Sequence, residues 1–244
     1  MGRVGSHRIL VLIPAHNEAA TIGRVIREVR DSLKGCDFLV IDDGSSDETP
    51  RVLRELGVET AIHLCNLGYG HTTQTGIKYA AMNRYSCVLT MDADGQHDPA
   101  QAGEMLEAFL KSDSEMMIGS RYIKNHGYRG TPWTRRVGMK LFSRLVGLFG
   151  DKRIYDTSSG LRAIRSTVFE PLLSWRFLDF HAETILYLMR LGYRVSEYPV
   201  TFRERTEGNS MYSLGAQLSY PPKTRLLAAL SLVQAAIQRR TVRR

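Results

Sequence analysis

Cysteine, tryptophan and long apolar runs are scarce in this chain of 244 residues. Its three cysteines, Cys36, Cys65 and Cys87, lie far apart and include no CxxC pair. An odd number of cysteines at this spacing fits neither a disulfide framework nor a zinc site, so we expect reduced thiols in a cytosolic compartment. The longest apolar stretch begins at Leu226 and is too short to span a bilayer as a helix.

The amino-terminal apolar run is short as well. The letters ILVLIPA end at Ala15 and are followed by the polar residues His16, Asn17 and Glu18. We therefore interpret the run as a first strand and not as a signal peptide. No GxGxxG follows it, which argues against an ordinary dinucleotide site.

Charge is divided unevenly along the chain. The net charge is +8, but residues 1–115 contain 11 Lys or Arg and 17 Asp or Glu, whereas residues 116–244 contain 22 and 8. Residues 116–150 contain seven basic residues and no acid. This division predicts a metal-assisted site on one side of the protein and bound anionic groups on the other. The alternative interpretation is a basic charge that only keeps the protein soluble.

Short runs rich in Val, Ile and Leu alternate with helical patterns in the first half of the chain. RILVLIP precedes ATIGRVIREVRDSL, for example, and CVLTMD precedes PAQAGEMLEAFLK. This alternation predicts an α/β fold with a doubly wound, mostly parallel sheet and helices on both faces. The second half is less regular, with a helix expected at AETILYLMRL and a strand at YRVSEYPVTF.

Two acidic clusters follow predicted strands, at the sheet edge where ligands bind in such folds. Asp42 and Asp43 end one strand, and Asp92 and Asp94 follow another. Side chains two residues apart on extended chain point to the same side, so Asp92 and Asp94 can hold a hard divalent cation together with substrate phosphates. Gln96 adds a neutral oxygen. The alternative interpretation is that these are solvated loop acids.

Other polar residues in these clusters have structural interpretations. Asp98 precedes Pro99 and predicts a helix N-cap followed by proline at the first helical position. Ser45 and Glu48 fit a capping box for the next helix. The doubled acid that precedes Ser45 is not explained by a cap, and a carboxylate there can accept hydrogen bonds from a base or a ribose.

Several motifs follow one another over most of the chain, from Ile9 to about Ser213. In order, they are IPAHNEA, VIDDGSSDET, NLGYGHTTQTGIKYA, MDADGQHDP, GSRY, DTSSGLRAI, GYRVSEYPV and RTEGNS. This series resembles the family 2 glycosyltransferases of the GT-A fold, and within them the dolichyl-phosphate mannose synthase and polyprenyl-phosphate glycosyltransferase branch. Two positions depart from that pattern: His16 stands where tyrosine is usual, and Met211 where lysine is usual.

The resemblance implies roles for the matching positions. The residues implied in nucleotide binding are Pro14, His16, Glu18, Ile41, Asp43 and Asp92. The residues implied in binding Mg²⁺ or Mn²⁺ are Asp92, Asp94 and Gln96. The residues implied in contacting donor or acceptor phosphates are Arg121, Arg135, Lys140, Arg205 and Ser210.

The activity implied by the resemblance is metal-dependent, inverting transfer of a hexose. The donor would be a nucleotide-diphosphate sugar of the GDP-mannose or UDP-glucose type, and the acceptor a polyprenyl or dolichyl phosphate. Asp94 and Arg121 would be catalytic. A hydroxyl acceptor, as in polysaccharide or glycolipid synthesis, is the alternative; it needs a base, for which Glu183 is the candidate. Glu183 is equally well interpreted as an acid favoured by a helix dipole.

Two other functional classes fit the sequence less well. A sugar-nucleotide pyrophosphorylase would carry a Gly-rich phosphate loop after the first strand, which is missing here. A nucleic-acid-binding module would suit the basic pI but not the acidic half, so we expect no nucleic-acid partner.

From the resemblance we expect a glycosyltransferase domain at 1–212 and a tail at 213–244. The domain has a nucleotide- and metal-binding half at 1–115 and an acceptor-side half at 116–212. The tail predicts an amphipathic helix with a basic end, which is typical of docking on an anionic membrane. The alternative interpretation is a helix packed on the domain with a frayed basic end. We expect a protein in the cytoplasm or peripheral on the cytoplasmic membrane face, with a membrane partner subunit or a homo-oligomer as further expectations.

Overall fold

The computed structural model describes residues 3–4, 7–123, 143–144, 147, 153–174 and 180–203. This part of the chain forms one mixed sheet with helices on both faces. The doubly wound, mostly parallel α/β architecture predicted from the sequence is therefore confirmed. The predictions for Arg135, Lys140, Arg205, Ser210 and the tail lie outside the described residues.

Strands and helices alternate through the first half of the chain, as predicted. The strands are β1 (Arg3–Val4), β2 (His7–Ala15), β3 (Asp37–Asp42), β4 (Thr60–Ile62), β5 (Cys87–Thr90), β6 (Met116–Ser120), β7 (Arg162–Arg165) and β8 (Val195–Pro199). The helices are α1 (Ile22–Ser32), α2 (Thr49–Glu55), α3 (Tyr69–Met82), α4 (Pro99–Lys111), α5 (Phe169–Ser174) and α6 (Ala182–Leu191), with a 3₁₀ turn at Ser166–Val168.

The sheet has the strand order β4-β3-β2-β5-β7-β6-β8, and β1 pairs with β2 outside this path. The pairs β4–β3, β3–β2, β2–β5 and β6–β8 are parallel. Strand β7 runs antiparallel between β5 and β6, with Ala163 opposite both Leu89 and Met117. The sequence patterns did not indicate β7, because its four residues RAIR carry a charged residue at each end.

Each face of the sheet packs against its own helices. Successive strand residues point to opposite faces, so Val11 and Ile13 of β2 pack with α1 and α4, while Leu10 and Leu12 pack with α3 and α6. Helix α1 contributes apolar residues at the three- and four-residue spacing that a helix needs to bury one side. All these strand residues are buried, so both faces of β2 lie in the core.

One of the two predicted helix caps is confirmed. The carboxylate of Asp98 accepts a hydrogen bond of 3.0 Å from the backbone N–H two residues on, at the start of α4. The capping box of Ser45 and Glu48 is wrong, because α2 begins only at Thr49. Ser45 accepts instead from a backbone N–H in the loop after β2, and Asp47 accepts from the backbone N–H of Thr49.

The three cysteines lie in different surroundings. Cys36 and Cys87 are buried, whereas Cys65 is exposed in the loop between β4 and α3. Burial raises the pKa of the Cys36 thiol to about 11 and that of the Cys87 thiol to about 12. Both thiols are therefore protonated, and so unreactive, near neutral pH.

Helix α3 approaches the sheet closely at Gly76. A Cβ atom at this position would lie 2.2 Å from Cδ1 of Leu12, which is fully buried and has no room to move. We expect Gly76→Ala to lower the free energy of unfolding by about 1–3 kcal/mol, measured by urea denaturation.

The matched control for this prediction is Gly23→Ala in α1. A Cβ atom there would make an ordinary contact of 3.5 Å with Val52. Its expected effect is stabilisation by up to about 1 kcal/mol, because alanine is the better helix former. Equal effects of the two substitutions would contradict the close approach of α3 to the sheet.

Candidate active site

The candidate site lies at the edge of the sheet where the parallel strands β2, β3, β5 and β6 end. Asp42 and Asp43 end or follow β3, Asp92 and Asp94 follow β5, and Arg121 directly follows β6. The fold thus brings together acidic residues of the first half and a basic residue of the second half at the carboxyl ends of the strands, which is where open α/β sheets bind ligands.

The loop after β5 presents oxygen atoms toward the accessible side. Asp92, Asp94 and Gln96 are partly exposed, while the residues that alternate with them are buried. The strand itself ends at Thr90, so a turn and not extended chain sets the spacing. In this turn Oδ1 of Asp94 accepts a hydrogen bond of 3.0 Å from the backbone N–H of Gln96, and Gly95 has a φ of +75°.

The carboxylate of Asp92 is held by two neighbouring side chains. Nε2 of His97 donates to Oδ2 over 3.0 Å, and the Tyr69 hydroxyl also donates to Asp92. Burial raises the pKa of Asp92, but the hydrogen bond and charge of His97, the charge of His181 and the Tyr69 hydroxyl together bring it below its usual value. Asp92 is therefore a fixed anion at neutral pH.

Gly160 lies directly behind this carboxylate. A Cβ atom at Gly160 would lie 2.2 Å from Oδ2 and 2.3 Å from Oδ1 of Asp92. The Gly160 carbonyl accepts a hydrogen bond of 2.6 Å from Oγ1 of Thr90, which ties the loop before β7 to the end of β5. Only glycine fits here, which explains the glycine of the DTSSG motif.

This set of donors fits a hard divalent cation. Mg²⁺ and Mn²⁺ prefer oxygen ligands, and two carboxylates with one amide oxygen leave coordination positions for phosphate oxygens and water. Within the described residues, no group of three or more His, Cys, Asp or Glu side chains could hold a metal by itself. A cation bound by Asp92, Asp94 and Gln96 would therefore depend on ligands from a substrate.

Arg121 is fixed at the end of β6 by a buried carboxylate. Its Nε and Nη2 donate to Asp156 over 2.7 and 2.8 Å, and Nη2 also donates to Oγ of Ser158 over 3.1 Å. Burial lowers the pKa of Arg121, but the charge and hydrogen bonds of Asp156 raise it by more, so the guanidinium is permanently charged. The guanidinium also lies 4.5 Å from the ring centre of Phe202.

Glu197 of β8 supports this pair, and the sequence did not indicate it. Its two carboxylate oxygens accept from the backbone N–H groups of Tyr155 and Asp156 over 2.9 and 2.8 Å. Burial raises the pKa of Glu197 by more than these hydrogen bonds lower it. Glu197 thus holds the loop that holds Arg121. The sequence feature that could have indicated a role for Glu197 is its position inside a predicted strand, two residues after an apolar residue, where an acidic residue is unusual.

No sequence pattern indicated a role for Arg162. This residue is the first of β7 and is only 1% exposed. Its guanidinium donates to the carbonyl oxygens of Ser159, Phe180 and Thr157. Burial lowers the pKa of Arg162, and the nearby acidic groups, among them Asp92, oppose this effect. Arg162 therefore places a buried positive charge behind the acidic loop.

Asp43 anchors the glycine-rich loop that precedes α3. Its Oδ1 accepts from Nδ1 of His63 over 2.7 Å and from the backbone N–H of Leu67 over 3.0 Å, and its Oδ2 accepts from that of Gly68 over 2.8 Å. Burial raises the pKa of Asp43, but these hydrogen bonds and the charge of His63 lower it by more in sum. Asp43 is 4% exposed.

The other residues implied in nucleotide binding lie at the same edge. Pro14 and Ile41 are paired across β2 and β3 and are buried. Nδ1 of His16 donates to the carbonyl oxygen of Asp43 over 2.9 Å, so its ring faces the end of β3. Glu18 accepts a hydrogen bond of 2.8 Å from the hydroxyl of Thr21 before α1.

Glu183 lies in the first turn of α6 and is 2% exposed. Its Oε1 accepts a hydrogen bond of 3.1 Å from the backbone N–H of His181. This arrangement is what the helix-dipole interpretation predicts. Its role as a general base remains a prediction, as do the roles of Arg135, Lys140, Arg205 and Ser210 outside the described residues.

The anchor at Asp43 predicts a pH-dependent contribution to stability. Because the folded protein lowers the pKa of Asp43, its contribution is present above the unfolded value of about 3.9 and is lost as the pH falls through the folded value. We expect Asp43→Asn to cost about 1–3 kcal/mol of unfolding free energy at pH 7. The difference from the unmodified protein should shrink below about pH 4.

Urea denaturation at pH 7 and at lower pH measures this difference. Asp31→Asn, at an exposed position in α1, is the control and should change little at either pH. A cost for Asp43→Asn that does not vary with pH would show that the carboxylate charge is not what anchors the loop.

Comparison with known proteins gives relatives of similar length. The chain is 29% identical to polyprenol monophosphomannose synthase of Mycolicibacterium smegmatis over 218 residues, which cover 85% of this chain and 82% of that protein. It is also 29% identical to undecaprenyl-phosphate mannosyltransferase of Micrococcus luteus over 221 residues, which cover 85% of this chain and 88% of that protein.

Solved structures share the fold. The crystal structure of glucosyl-3-phosphoglycerate synthase from Mycobacterium tuberculosis, in complex with Mn²⁺, uridine diphosphate and glucosyl-3-phosphoglycerate, superposes with a TM-score of 0.65 at 19% identity. The match covers 91% of this chain and 80% of that one.

The family model described as "Glycosyl transferase family 2" matches residues 10–173. The chain therefore belongs to glycosyl transferase family 2, as its motifs predicted.

Proposed function

We propose that this protein is a metal-dependent, inverting glycosyltransferase that moves a hexose from a nucleotide-diphosphate sugar to a polyprenyl or dolichyl phosphate. The observation that carries the proposal is the partly exposed pair Asp92 and Asp94, of which Asp92 lies close enough to Arg121 for their charges to interact. Fixed anions and a fixed cation at one sheet edge suit a metal–diphosphate group. Family membership favours glycosyl transfer over the pyrophosphorylase and nucleic-acid-binding alternatives.

The donor half of the site has the chemistry that a leaving diphosphate needs. A divalent cation held by Asp92, Asp94 and Gln96 would neutralise the negative charge that develops on the nucleoside diphosphate. Arg121 is already positioned by Asp156 and needs no reorganisation to stabilise the same charge. The base and ribose would lie near His16 and the end of β3.

The acceptor half favours a phosphate over a hydroxyl group. In the proposed reaction a phosphate oxygen of the acceptor forms a bond to the anomeric carbon, and the bond from that carbon to the diphosphate breaks. A phosphate acceptor is already anionic near neutral pH and needs no general base. Glu183, the candidate base for a hydroxyl acceptor, is buried at 2% exposure. Both relatives named above have prenyl-type phosphates in their names.

A lipid acceptor implies work at a membrane surface. No helix in the described part of the chain is both long and apolar enough to cross a bilayer. For such an acceptor we propose a peripheral association, in which the basic tail predicted from the sequence docks on anionic lipid.

Asp94→Asn tests the proposed metal site. We expect the substitution to reduce sugar transfer to polyprenyl phosphate by at least a hundredfold, because the amide removes one of the two negative charges that would hold the cation. Asp113→Asn, an exposed acid after α4 with a side chain that is 85% accessible, is the control for charge removal. Retained activity of the Asp94 variant, with an unchanged unfolding temperature in both variants, would falsify the proposed role.

The donor is identified by thermal unfolding with GDP, UDP and their sugars, each with Mn²⁺ and with a chelator. A ligand at about a hundred times its dissociation constant adds about 2.7 kcal/mol to the unfolding free energy. We expect a metal-dependent rise in unfolding temperature with one nucleotide. No rise with any of them would contradict a nucleotide-sugar donor.

A further inference from the structure

The chain segment after β8 crosses the candidate site. The backbone N–H of Val200 donates to the carbonyl of Ser120 over 3.0 Å, which continues the pairing of β8 with β6. Three residues later, the backbone N–H of Arg203 donates to the carbonyl of Gln96 over 2.8 Å, in the acidic loop after β5. Because β7 and β6 separate β5 from β8 in the sheet, residues 200–203 run over the ends of two strands.

Phe202 lies at the middle of this crossing. Its ring meets the ring of His97 edge to face, with the centres 4.5 Å apart and the planes at 83°. The two residues also form an isolated antiparallel bridge. The guanidinium of Arg121 lies 4.5 Å from the centre of the same ring. One side chain therefore touches both halves of the candidate site.

Through these contacts Phe202 is connected to Asp92, which would bind the metal, and to Arg121, which would bind the diphosphate. His97 donates to the carboxylate of Asp92, and its Nδ1 is buried without a hydrogen-bond partner among the described residues. The imidazole of His97 is thus oriented by its hydrogen bond to Asp92 and by its ring contact with Phe202. On the other side, Phe202 and Asp156 together fix the plane of the Arg121 guanidinium.

The crossing segment is also tied down beside Phe202. The guanidinium of Arg203 lies 2.6 Å from Glu28 of α1 and 3.3 Å from the Asp98 cap of α4. Before Phe202, the backbone N–H of Thr201 donates to the side chain of Gln101 over 2.8 Å. The Phe202 ring is therefore held against the acidic loop from both sides.

We propose that Phe202 is a positioning residue of the transfer site, which sets the spacing between the carboxylates that would bind the metal and the arginine that would bind the phosphates. It acts through His97 on Asp92 and directly on the Arg121 guanidinium. The inference rests on the proposed function, since it concerns the recognition of a metal–diphosphate group. It predicts that the ring, and not only an apolar side chain, is needed at this position.

The test compares three variants. Phe202→Leu keeps an apolar side chain but removes the ring, whereas Phe202→Tyr keeps the ring. Phe109→Leu is the matched control: Phe109 is buried in the last turn of α4, at the end of the helix opposite the Asp98 cap, and its ring contacts the guanidinium of Arg165 at 4.7 Å. For each protein we would measure the unfolding temperature, the affinity for GDP and UDP with Mn²⁺, the affinity for GMP and UMP, and kcat and KM.

We expect Phe202→Leu to weaken binding of the metal-bound nucleoside diphosphate or to lower kcat by about tenfold. Affinity for the nucleoside monophosphate should stay within about twofold, because in the proposed function the base and ribose would lie near His16 and the end of β3 and not beside Phe202. Phe202→Tyr should restore both values, and Phe109→Leu should lower the unfolding temperature without changing either.

Two other results are distinguishable. If Phe202→Leu lowers only the unfolding temperature, as Phe109→Leu does, the ring is ordinary packing and the inference is overturned while the proposed function stands. If the unmodified protein binds no nucleoside diphosphate with Mn²⁺ or Mg²⁺, the proposed function fails and Phe202 has no site to position.

Discussion

The candidate site depends on the hydrogen bonds that the buried guanidinium of Arg162 donates to backbone carbonyl oxygens. The guanidinium donates to carbonyl oxygens of the loop before β7 and of Phe180 before α6, so it joins the segment that precedes β7 to the segment that follows α5. A buried charge satisfied by carbonyl dipoles is stable only while those carbonyls stay in place. Through this loop, Gly160 is held against the carboxylate of Asp92.

A second chain of contacts fixes the basic side of the site. Glu197 holds the backbone at Asp156, Asp156 holds Arg121, and the Arg121 guanidinium rests on Phe202. The carboxylates of Glu197 and Asp156 accept hydrogen bonds from groups that the folded protein already holds in place. The guanidinium of Arg121 is therefore oriented before any ligand binds. Such preorganisation is what makes a fixed charge effective toward a developing anion.

Much of this organisation was predictable from local patterns. Alternating apolar runs and amphipathic helices predicted the sheet and its helices, and Asp98 before Pro99 predicted the start of α4. The acidic clusters were correctly expected at strand ends. The capping box at Ser45 and Glu48 was wrong, because Ser45 has a partner in the loop after β2. A capping motif describes neighbours in sequence, and a contact with another loop overrides it.

The amino-acid sequence by itself determined the fold class, the family and the placement of acids at one edge of the sheet, because these follow from local periodicity and from motifs in order. Only the tertiary structure decided what each acid does. Asp43 and Asp92 look alike in sequence, yet Asp43 anchors the glycine-rich loop, while Asp92 stands partly exposed beside His97 and Gly160. The difference arises because strand β7 and the segment at Phe202 reach the site from distant parts of the chain, and no local pattern encodes such contacts.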